Sequence, residues 1–508
     1  MTPGERQGPQ RGRHARPRVP RAPLRRALAV VVLVGVLVAM GVADRMVARG
    51  APAPSAGAVS AAQAVTAVRA GGTESSAWYC AGGTGPQGGA PGTLVLTNAR
   101  AKPVTGTITV IPALGAGAAS PGPWAGGVSA RVTVPADAQL NVPEDQLGPA
   151  ASSLQAAAVV LDGGGVAVAQ AVSSPLGWSM APCATAAAPG WSFAHGATAQ
   201  AGGLLLNLFN PGATDAAVDV SLVSATAGTL SPAAYQGIDV PPGALVTENI
   251  GDHAPDDAAI ATEVSTLTGA VVASELESVG ASGNGGISIT LGTPAPATQW
   301  VFPENVDAPG TTVAFRVLNP STRPAVVSVS IGLSGGEVAE PLTMHVPPQA
   351  LSTLVAEDQT RIPSGVSYAL TFTSRGAGIV VVRQVTAPPG QPAPVPEGGD
   401  VVGVIGASTR WVVPAVVTPG TGASSVTVAD LGPGPATVRF TTPSGRAVAG
   451  LKPQKVGPHA PLVITPVPGD PFGVKPLGVQ ADEPVAVELD GEPAAGSGVV
   501  VSPAFPVR

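Results

Sequence analysis

The sequence predicts an all-β protein with four tandem immunoglobulin-like β-sandwich domains after one N-terminal transmembrane helix. Glycine (66) and proline (55) are abundant among the 508 residues, yet 44% of the chain is hydrophobic. Many short strands joined by Gly/Pro turns explain both observations. A set of tryptophan, asparagine and Val-Pro landmarks also recurs about every 110 residues. Such a period divides the chain into similar structural units.

The N-terminus predicts the location of the protein. Residues 1–50 hold ten arginines and a net charge of +8, whereas the rest of the chain carries −14. Eight arginines precede an uncharged apolar run at 27–43, and basic residues beside such a run stay in the cytoplasm. We expect a cytoplasmic tail (1–26), a transmembrane helix or signal anchor (27–43) and an Ala/Ser/Pro-rich linker (44–76). The bulk of the chain then lies outside the cell, at the cell membrane.

The length of the apolar run leaves one alternative open. Its seventeen residues are short for a hydrocarbon core of ~30 Å, so the segment is also compatible with signal cleavage and secretion. The acidic remainder of the chain is unsuited to a phosphate backbone, which excludes nucleic acid as a partner.

The repeat rests on three landmarks in a fixed order. A tryptophan begins each unit: Trp78, Trp191, Trp300 and Trp411. Nineteen or twenty residues later a strand-like run ends in a turn-forming residue: Asn98, Asn210, Asn319 and Asp430. A Val-Pro step follows a second strand: Val134-Pro135, Val240-Pro241, Val346-Pro347 and, more weakly, Val456-Gly457-Pro458. We expect sandwiches at 77–187, 188–297, 298–399 and 400–508; a propeller with two blades per unit is the alternative.

The two cysteines predict one disulfide. Cys80 and Cys183 stand near the start and the end of the first unit. In an oxidising compartment an even number of cysteines favours a bridge. Without a nearby Cys or His partner, a metal or redox site is not expected.

Motifs that suggest chemistry lack the required context. Residues 83–88 match G-x-G-x-x-G, but Pro86 interrupts the motif and a strand follows it, so we interpret them as a glycine-rich loop. Ser334 lies in a G-x-S-x-G match without the helix that a nucleophile elbow requires. The five histidines are dispersed, and Asp252, Asp256 and Asp257 lack the spacing of a calcium loop. We expect no catalytic residue, cofactor, metal or small-molecule substrate.

The patterns Leu318-Asn319-Pro320, Val-Pro-Pro and Gly378–Arg383, together with the arginine-rich start, resemble a family of unknown function. Its members are large secreted or membrane-anchored proteins of high-GC Gram-positive (actinobacterial) bacteria, and the similarity covers most of residues 24–508. This resemblance implies location and architecture but no transferable catalytic residue.

The sequence therefore predicts a non-enzymatic cell-envelope protein that serves as a scaffold, spacer or protein-interaction platform. Its partners are the membrane, through the N-terminal helix, and other envelope proteins or cell-wall polymer. The alternative is a cell-wall polysaccharide-binding module, for which Trp124 and Trp178 are the aromatic candidates. A hydrolase that uses Ser334 or an acidic pair is a third hypothesis.

Overall fold

The computed structural model describes residues 73–84, 92–114, 124, 126–147, 154–174, 177–199, 203–278, 287–306, 312–386, 399–415, 424–464, 475–491 and 500–507. All of them belong to one compact unit, Ala61–Arg508. The predicted tail (1–26), membrane segment (27–43) and residues 44–72 of the linker lie outside the described residues. Among those described, no helix has the length and apolarity needed to cross a membrane.

The first segment (77–182) forms two four-stranded sheets. Its strands are β1 (Ala77–Thr84), β2 (Gly92–Asn98), β3 (Val104–Pro112), β4 (Val128–Val134), β5 (Gln139–Pro143), β6 (Leu154–Leu161), β7 (Val166–Ser174) and β8 (Gly177–Pro182). One sheet has the order β1-β6-β3-β4 and the other β5-β2-β7-β8.

The second segment (190–291) repeats this arrangement. Its strands are β9 (Gly190–Phe193), β10 (Gly203–Phe209), β11 (Ala216–Ser224), β12 (Gly228–Leu230), β13 (Ile238–Val240), β14 (Leu245–Asn249), β15 (Ile260–Thr268), β16 (Val272–Ser278) and β17 (Ile287–Leu291). The sheet orders are β12-β11-β15-β9, with β13 also pairing β11, and β14-β10-β16-β17.

The third segment (299–402) again forms two four-stranded sheets. Its strands are β18 (Gln299–Val306), β19 (Thr312–Asn319), β20 (Ala325–Leu333), β21 (Val338–Val346), β22 (Ala350–Val355), β23 (Ser367–Arg375), β24 (Val380–Thr386) and β25 (Gly399–Val402). The sheet orders are β18-β23-β20-β21 and β22-β19-β24-β25.

The fourth segment (408–506) differs because its strands join one eight-stranded sheet. They are β26 (Ser408–Val413), β27 (Ser424–Asp430), β28 (Ala436–Thr441), β29 (Gln454–Val456), β30 (Pro461–Ile464), β31 (Leu477–Gly491), β32 (Val500–Pro503) and β33 (Phe505–Pro506). The long strand β31 pairs β26 and β28 with its first part and β27 with its second. One continuous strand thus replaces two separate strands of the other segments.

Every strand pair is antiparallel, and the described residues contain strands and short 3-10 turns without α-helices, so the predicted all-β class is confirmed. Alternation of buried and exposed residues explains the strands. In β11, for example, Val218, Val220 and Leu222 face the core while the residues between them are partly exposed. β-Branched residues fit such a half-buried, pleated surface.

Hydrophobic clusters extend from one segment into its neighbour. Ala81 of the first segment packs in the core of the second, and Val223 of the second packs in the core of the third. Phe505, near the end of the fourth segment, is buried in the core of the first. The last strands also contact one another: β32 lies against β8, β8 against β17 and β17 against β25.

Candidate functional site

The predicted asparagine landmarks are buried and hydrogen-bonded to the Val-Pro steps. Asn210 Nδ2 donates to the carbonyls of Thr214 and Val240, both at 2.8 Å, and its Oδ1 accepts from Gly212 N at 2.9 Å. Asn98 and Asn319 make the same pattern with the carbonyls of Val134 and Val346 at 3.1 and 3.2 Å. Each amide thus connects the end of one strand to the turn after another.

Asp430 occupies the equivalent place in the fourth segment but cannot reproduce the pattern. Its Oδ1 accepts from Gly432 N at 2.8 Å, whereas the buried Oδ2 has no partner among the described residues. An ionised carboxylate has no donor for a carbonyl. Burial raises the pKa of Asp430 above its ordinary value, although backbone N–H groups of Gly432 and Ala436 oppose this.

The Val-Pro steps form a turn that recurs in all four segments. One residue of each turn has a positive φ: Asp137 (55°), Gly243 (65°), Gln349 (49°) and His459 (56°). A Cβ on Gly243 would collide with the Trp124 backbone of the first segment, and the His459 carbonyl lies against Gly332 of the third. In the second and fourth segments this turn therefore contacts the preceding segment.

In the first segment the same turn contacts the fourth. The Asp137 carboxylate accepts from Ser444 N at 2.7 Å, Ser444 Oγ at 2.8 Å and Arg446 Nε at 2.8 Å. Arg446 Nη2 also forms an ion pair with Asp137, whose side chain is 6% exposed. Burial alone would raise the pKa of Asp137, but the hydrogen bonds from Ser444, Thr442 and Arg446 outweigh it and lower the pKa. The contact closes the four segments into a ring.

A second contact and a groove adjoin this closure. Gln139 holds the backbone of Ala415 through both amide atoms: Oε1 accepts from Ala415 N at 2.7 Å, and Nε2 donates to its carbonyl at 3.1 Å. The groove has a volume of about 580 Å³ and a mixed lining that includes Asn141, Val448 and Lys475. Asp137 and Gln139 lie in its wall with their polar atoms engaged.

The interface between the third and fourth segments contains a buried ion pair. Arg383 Nη2 lies 2.6 Å from Glu488 Oε1, and each side chain is 4% exposed. Arg383 Nη1 donates to Asn305 Oδ1 at 3.1 Å and to the Glu304 carbonyl, and Thr427 Oγ1 donates to the Glu304 carboxylate. A buried pair of this kind needs such additional hydrogen bonds to offset desolvation.

The four landmark tryptophans are buried beside the start of a later strand. The indole N–H groups of Trp191, Trp300 and Trp411 donate to the carbonyls of Val271, Ile379 and Val485 at 2.7, 2.7 and 2.9 Å. The indole N–H of Trp78 has no partner among the described residues, and the Trp78 ring lies edge-on to Phe505 at 6.3 Å. These tryptophans therefore pack in the cores and do not form a surface site.

The predicted disulfide is present. Cys80 in β1 bonds to Cys183, just after β8, with a Cα–Cα distance of 4.6 Å. Both residues lie in the core of the first segment. The bond connects the two sheets of that segment.

The motifs that suggested chemistry take structural places. Ser334 lies in the hairpin turn between β20 and β21, where its N–H donates to the Ser367 carbonyl at 2.9 Å. Gly83 belongs to β1, and a side chain there would collide with the Glu144 carboxylate. Residues 85–88 lie outside the described part of the chain. Within the described residues, no group of three His, Cys, Asp or Glu side chains is placed to hold a metal.

Glu144 is a buried carboxylate that no sequence motif marks. It lies in the 3-10 turn after β5, is fully buried and accepts from Gln170 Nε2 at 2.9 Å. A Cβ on Gly92 would come within 2.7 Å of its Oε2. Burial raises the pKa of Glu144 to about 8, although the hydrogen bond from Gln170 opposes the shift.

Trp124, one aromatic candidate for polysaccharide binding, packs at a contact between two segments. The Trp124 ring is partly buried and lies edge-on to Phe209 of the second segment, 5.9 Å between ring centroids. The side chain of Trp178 lies outside the described part. His253 packs edge-on against Tyr235 at 4.8 Å, and the predicted acidic cluster makes local turn hydrogen bonds, such as Asn249 Nδ2 to Asp252 Oδ1 at 2.8 Å.

Comparison with known proteins assigns the family. A family model described as "Family of unknown function (DUF5719)" matches residues 165–454. The chain belongs to the DUF5719 family. The DUF5719 region begins near the start of β7 and ends at the start of β29, so it includes Arg446 but not Asp137. The predicted membership of a family of unknown function is thus confirmed; an actinobacterial source and a secreted or anchored form stay predictions.

Comparisons with curated proteins and solved structures add no argument to the assignment to the DUF5719 family. No curated protein matches the chain. A crystal structure of Thermotoga maritima 1070 is 15% identical, covers 22% of this chain and 94% of its own, and has a TM-score of 0.18. The Anabaena sensory rhodopsin transducer is 25% identical, covers 19% of this chain and 92% of its own, and has a TM-score of 0.16. A tetra-tandem repeat in the extending region of a large adhesion protein is 15% identical, covers 82% of this chain and 95% of its own, and has a TM-score of 0.12. At these TM-scores none of the three bears on the fold.

Proposed function

We propose that this protein is a non-enzymatic extracytoplasmic scaffold that presents surfaces to protein partners, held at the membrane by residues 27–43. The observation that carries the proposal is the closure of the fourth segment on the first through Asp137. It uses the turn that also contacts the preceding segment at Gly243 and His459, so equivalent turns join segments at three interfaces. A preorganised body orders its surfaces before a partner binds, which lowers the cost of association.

We further propose that each segment is an immunoglobulin-like sandwich module. Support comes from the paired sheets of the first three segments, each of about 100 residues, from a buried tryptophan in every segment and from a disulfide that connects the two sheets of the first. The ring arrangement distinguishes these modules from tandem domains that fold without contacting one another. The buried charges belong to this framework: Arg383 and Glu488 contact each other across an interface.

The alternative, a cell-wall polysaccharide-binding module, requires an exposed aromatic platform. Sugar rings stack on such surfaces, but the Trp124 ring lies partly buried against Phe209. The mixed groove beside Gln139 is one described cleft that a polymer chain would occupy in this alternative. We rank this function second because the polar atoms of Asp137 and Gln139 in its wall already bond to protein groups.

The test compares partners with polymer. The full-length protein in detergent is sedimented with purified cell-wall polysaccharide, and the same protein is cross-linked in intact cells. We expect no saturable sedimentation, and specific cross-links that weaken in Asp137→Ala, which opens the ring. Asp215→Ala, an exposed position, is the matched control and should retain the cross-links. Saturable binding to polymer without protein cross-links would favour the alternative and overturn the scaffold.

A further inference from the structure

The strand β4 is a regular edge strand, and its outer edge is not covered by any strand of the described residues. It pairs β3 over seven residues without a register shift, and no described strand pairs with its other edge. Its sequence, VSARVTV, contains no proline. An edge strand with these properties presents a row of free N–H and C=O groups, and natural proteins normally protect such rows.

The equivalent edges of the other segments are protected. In the second segment the edge is divided into the three-residue strands β12 and β13, with Pro232 and a 3-10 turn between them. In the third, β21 contains Pro341, whose carbonyl accepts from Arg361 Nη1 at 3.1 Å. In the fourth, β29 has three residues and follows Pro453. Proline cannot donate to a further strand, so β4 is the exception among four equivalent positions.

The side chains of β4 define what kind of strand fits beside it. Ser129, Arg131 and Thr133 are exposed on one face, and Arg131 stands opposite Thr107, which in turn stands opposite the exposed Val160. On the other face Val128 is 41% exposed, and Val132 packs partly against the core. An added strand would therefore need apolar residues on the core face and polar residues on the outer face. Arg131 is the single charge of β4.

We propose that the edge of β4 is a docking site for an extended segment of a partner protein, with an acidic residue opposite Arg131. Main-chain hydrogen bonds supply affinity in this mode, and alternate side chains supply specificity. Opposite charges on facing residues stabilise a strand pair, whereas like charges destabilise it. A second copy of β4 is disfavoured because full overlap of residues 128–134 places Arg131 opposite itself.

This inference rests on the proposed role as a protein-interaction platform. The probe is a synthetic peptide, Val-Thr-Val-Glu-Val-Thr-Val, flanked by serine and glycine for solubility. Its binding to the full-length protein in detergent is measured by fluorescence anisotropy, beside peptides with Lys or Pro at the centre. We expect the Glu peptide to bind about three- to tenfold more tightly than the Lys peptide, and the Pro peptide not to bind.

A charge exchange makes the test specific. Arg131→Glu should reverse the preference to the Lys peptide, while Arg375→Glu, an exposed position on β23, should leave it unchanged. Hydrogen exchange should show new protection of β4 amides when the Glu peptide binds the wild type and when the Lys peptide binds Arg131→Glu. Protected core amides in the variant verify that it is folded. Equal binding of the Glu and Lys peptides, protection elsewhere, or dimerisation through β4 would overturn the inference. If cross-linked partners persist when the peptide is in excess, the platform stands and this docking site falls.

Discussion

Exchange of asparagine and aspartate at the landmark positions should change stability in opposite directions. Asn210→Asp keeps the acceptor for Gly212 N but removes both donors to the Thr214 and Val240 carbonyls. An orphaned buried partner costs about 1–3 kcal/mol, so we expect a loss of about 3–5 kcal/mol. Asp430→Asn restores a donor at the equivalent place and should gain about 1 kcal/mol.

The gain at position 430 should depend on pH. Burial raises the pKa of Asp430 above 3.8, so the folded state binds its proton more tightly than the unfolded state. The stabilisation from this bound proton is complete below the pKa of the carboxyl group in the unfolded state, and it is lost as pH rises through the pKa in the folded state. The advantage of Asp430→Asn over wild type should therefore be larger at pH 7 than at pH 4.

Thermal unfolding together with hydrogen exchange of β10 and β27 measures both variants. Hydrogen exchange is needed because a protein of several segments can open locally. Asp215→Asn, an exposed change in the turn after Asn210, is the control and should be neutral. If Asp430→Asn destabilised β27, or Asn210→Asp were neutral, the proposed role of the amide donor would be wrong.

Three further predictions concern other buried groups. Asp137→Ala should weaken the contact between the first and fourth segments by about 2–4 kcal/mol, because two hydrogen bonds to Ser444 are lost and the ion pair with the exposed Arg446 contributes little stability. Faster hydrogen exchange of the amides around Ser444 would show this loss, and unchanged exchange would contradict it. Glu144→Gln should remove a pH dependence of stability. Burial raises the pKa of Glu144 to about 8, so the wild type loses stability as pH rises from 4.5 to 8. Parallel Tm–pH curves for the two proteins would refute the raised pKa of this carboxyl group. Joint replacement of Cys80 and Cys183 by serine should cost about 4 kcal/mol for a loop of this length; a reductant should lower the Tm of wild type alone.

The sequence predicted the strands and the landmarks because both depend on local patterns. Asn98 and its equivalents end strands whose alternating residues pack in the cores, and Cys80 and Cys183 form the expected bond. The ring was not predictable in the same way. Asp137 and Arg446 are 309 residues apart, and neither lies in a motif. The left-handed position of the turn is Asp, Gly, Gln or His, so no shared residue type revealed it.

Membership of the family also did not predict the contact between the first and fourth segments. The matched residues, 165–454, exclude Asp137, Gln139 and Phe505, which are three of the groups that join the first and fourth segments. The buried charges were missed for a related reason. Arg383 and Glu488 lie in apolar strands where a pattern of hydrophobic residues predicts a core, and only the packing of two segments brings them together.

The contacts that the turn makes at Asp137, Gly243 and His459 have a consequence for the evolution of the chain. In an open solenoid, each repeat contacts only its neighbours, so repeats can be gained or lost at little cost. Here the first turn meets the last segment, and every segment has two neighbours whose surfaces are already matched. Removing or duplicating one segment would change the curvature and leave two surfaces without partners. Among the four segments that the structure describes, the interfaces therefore oppose the loss or duplication of any one.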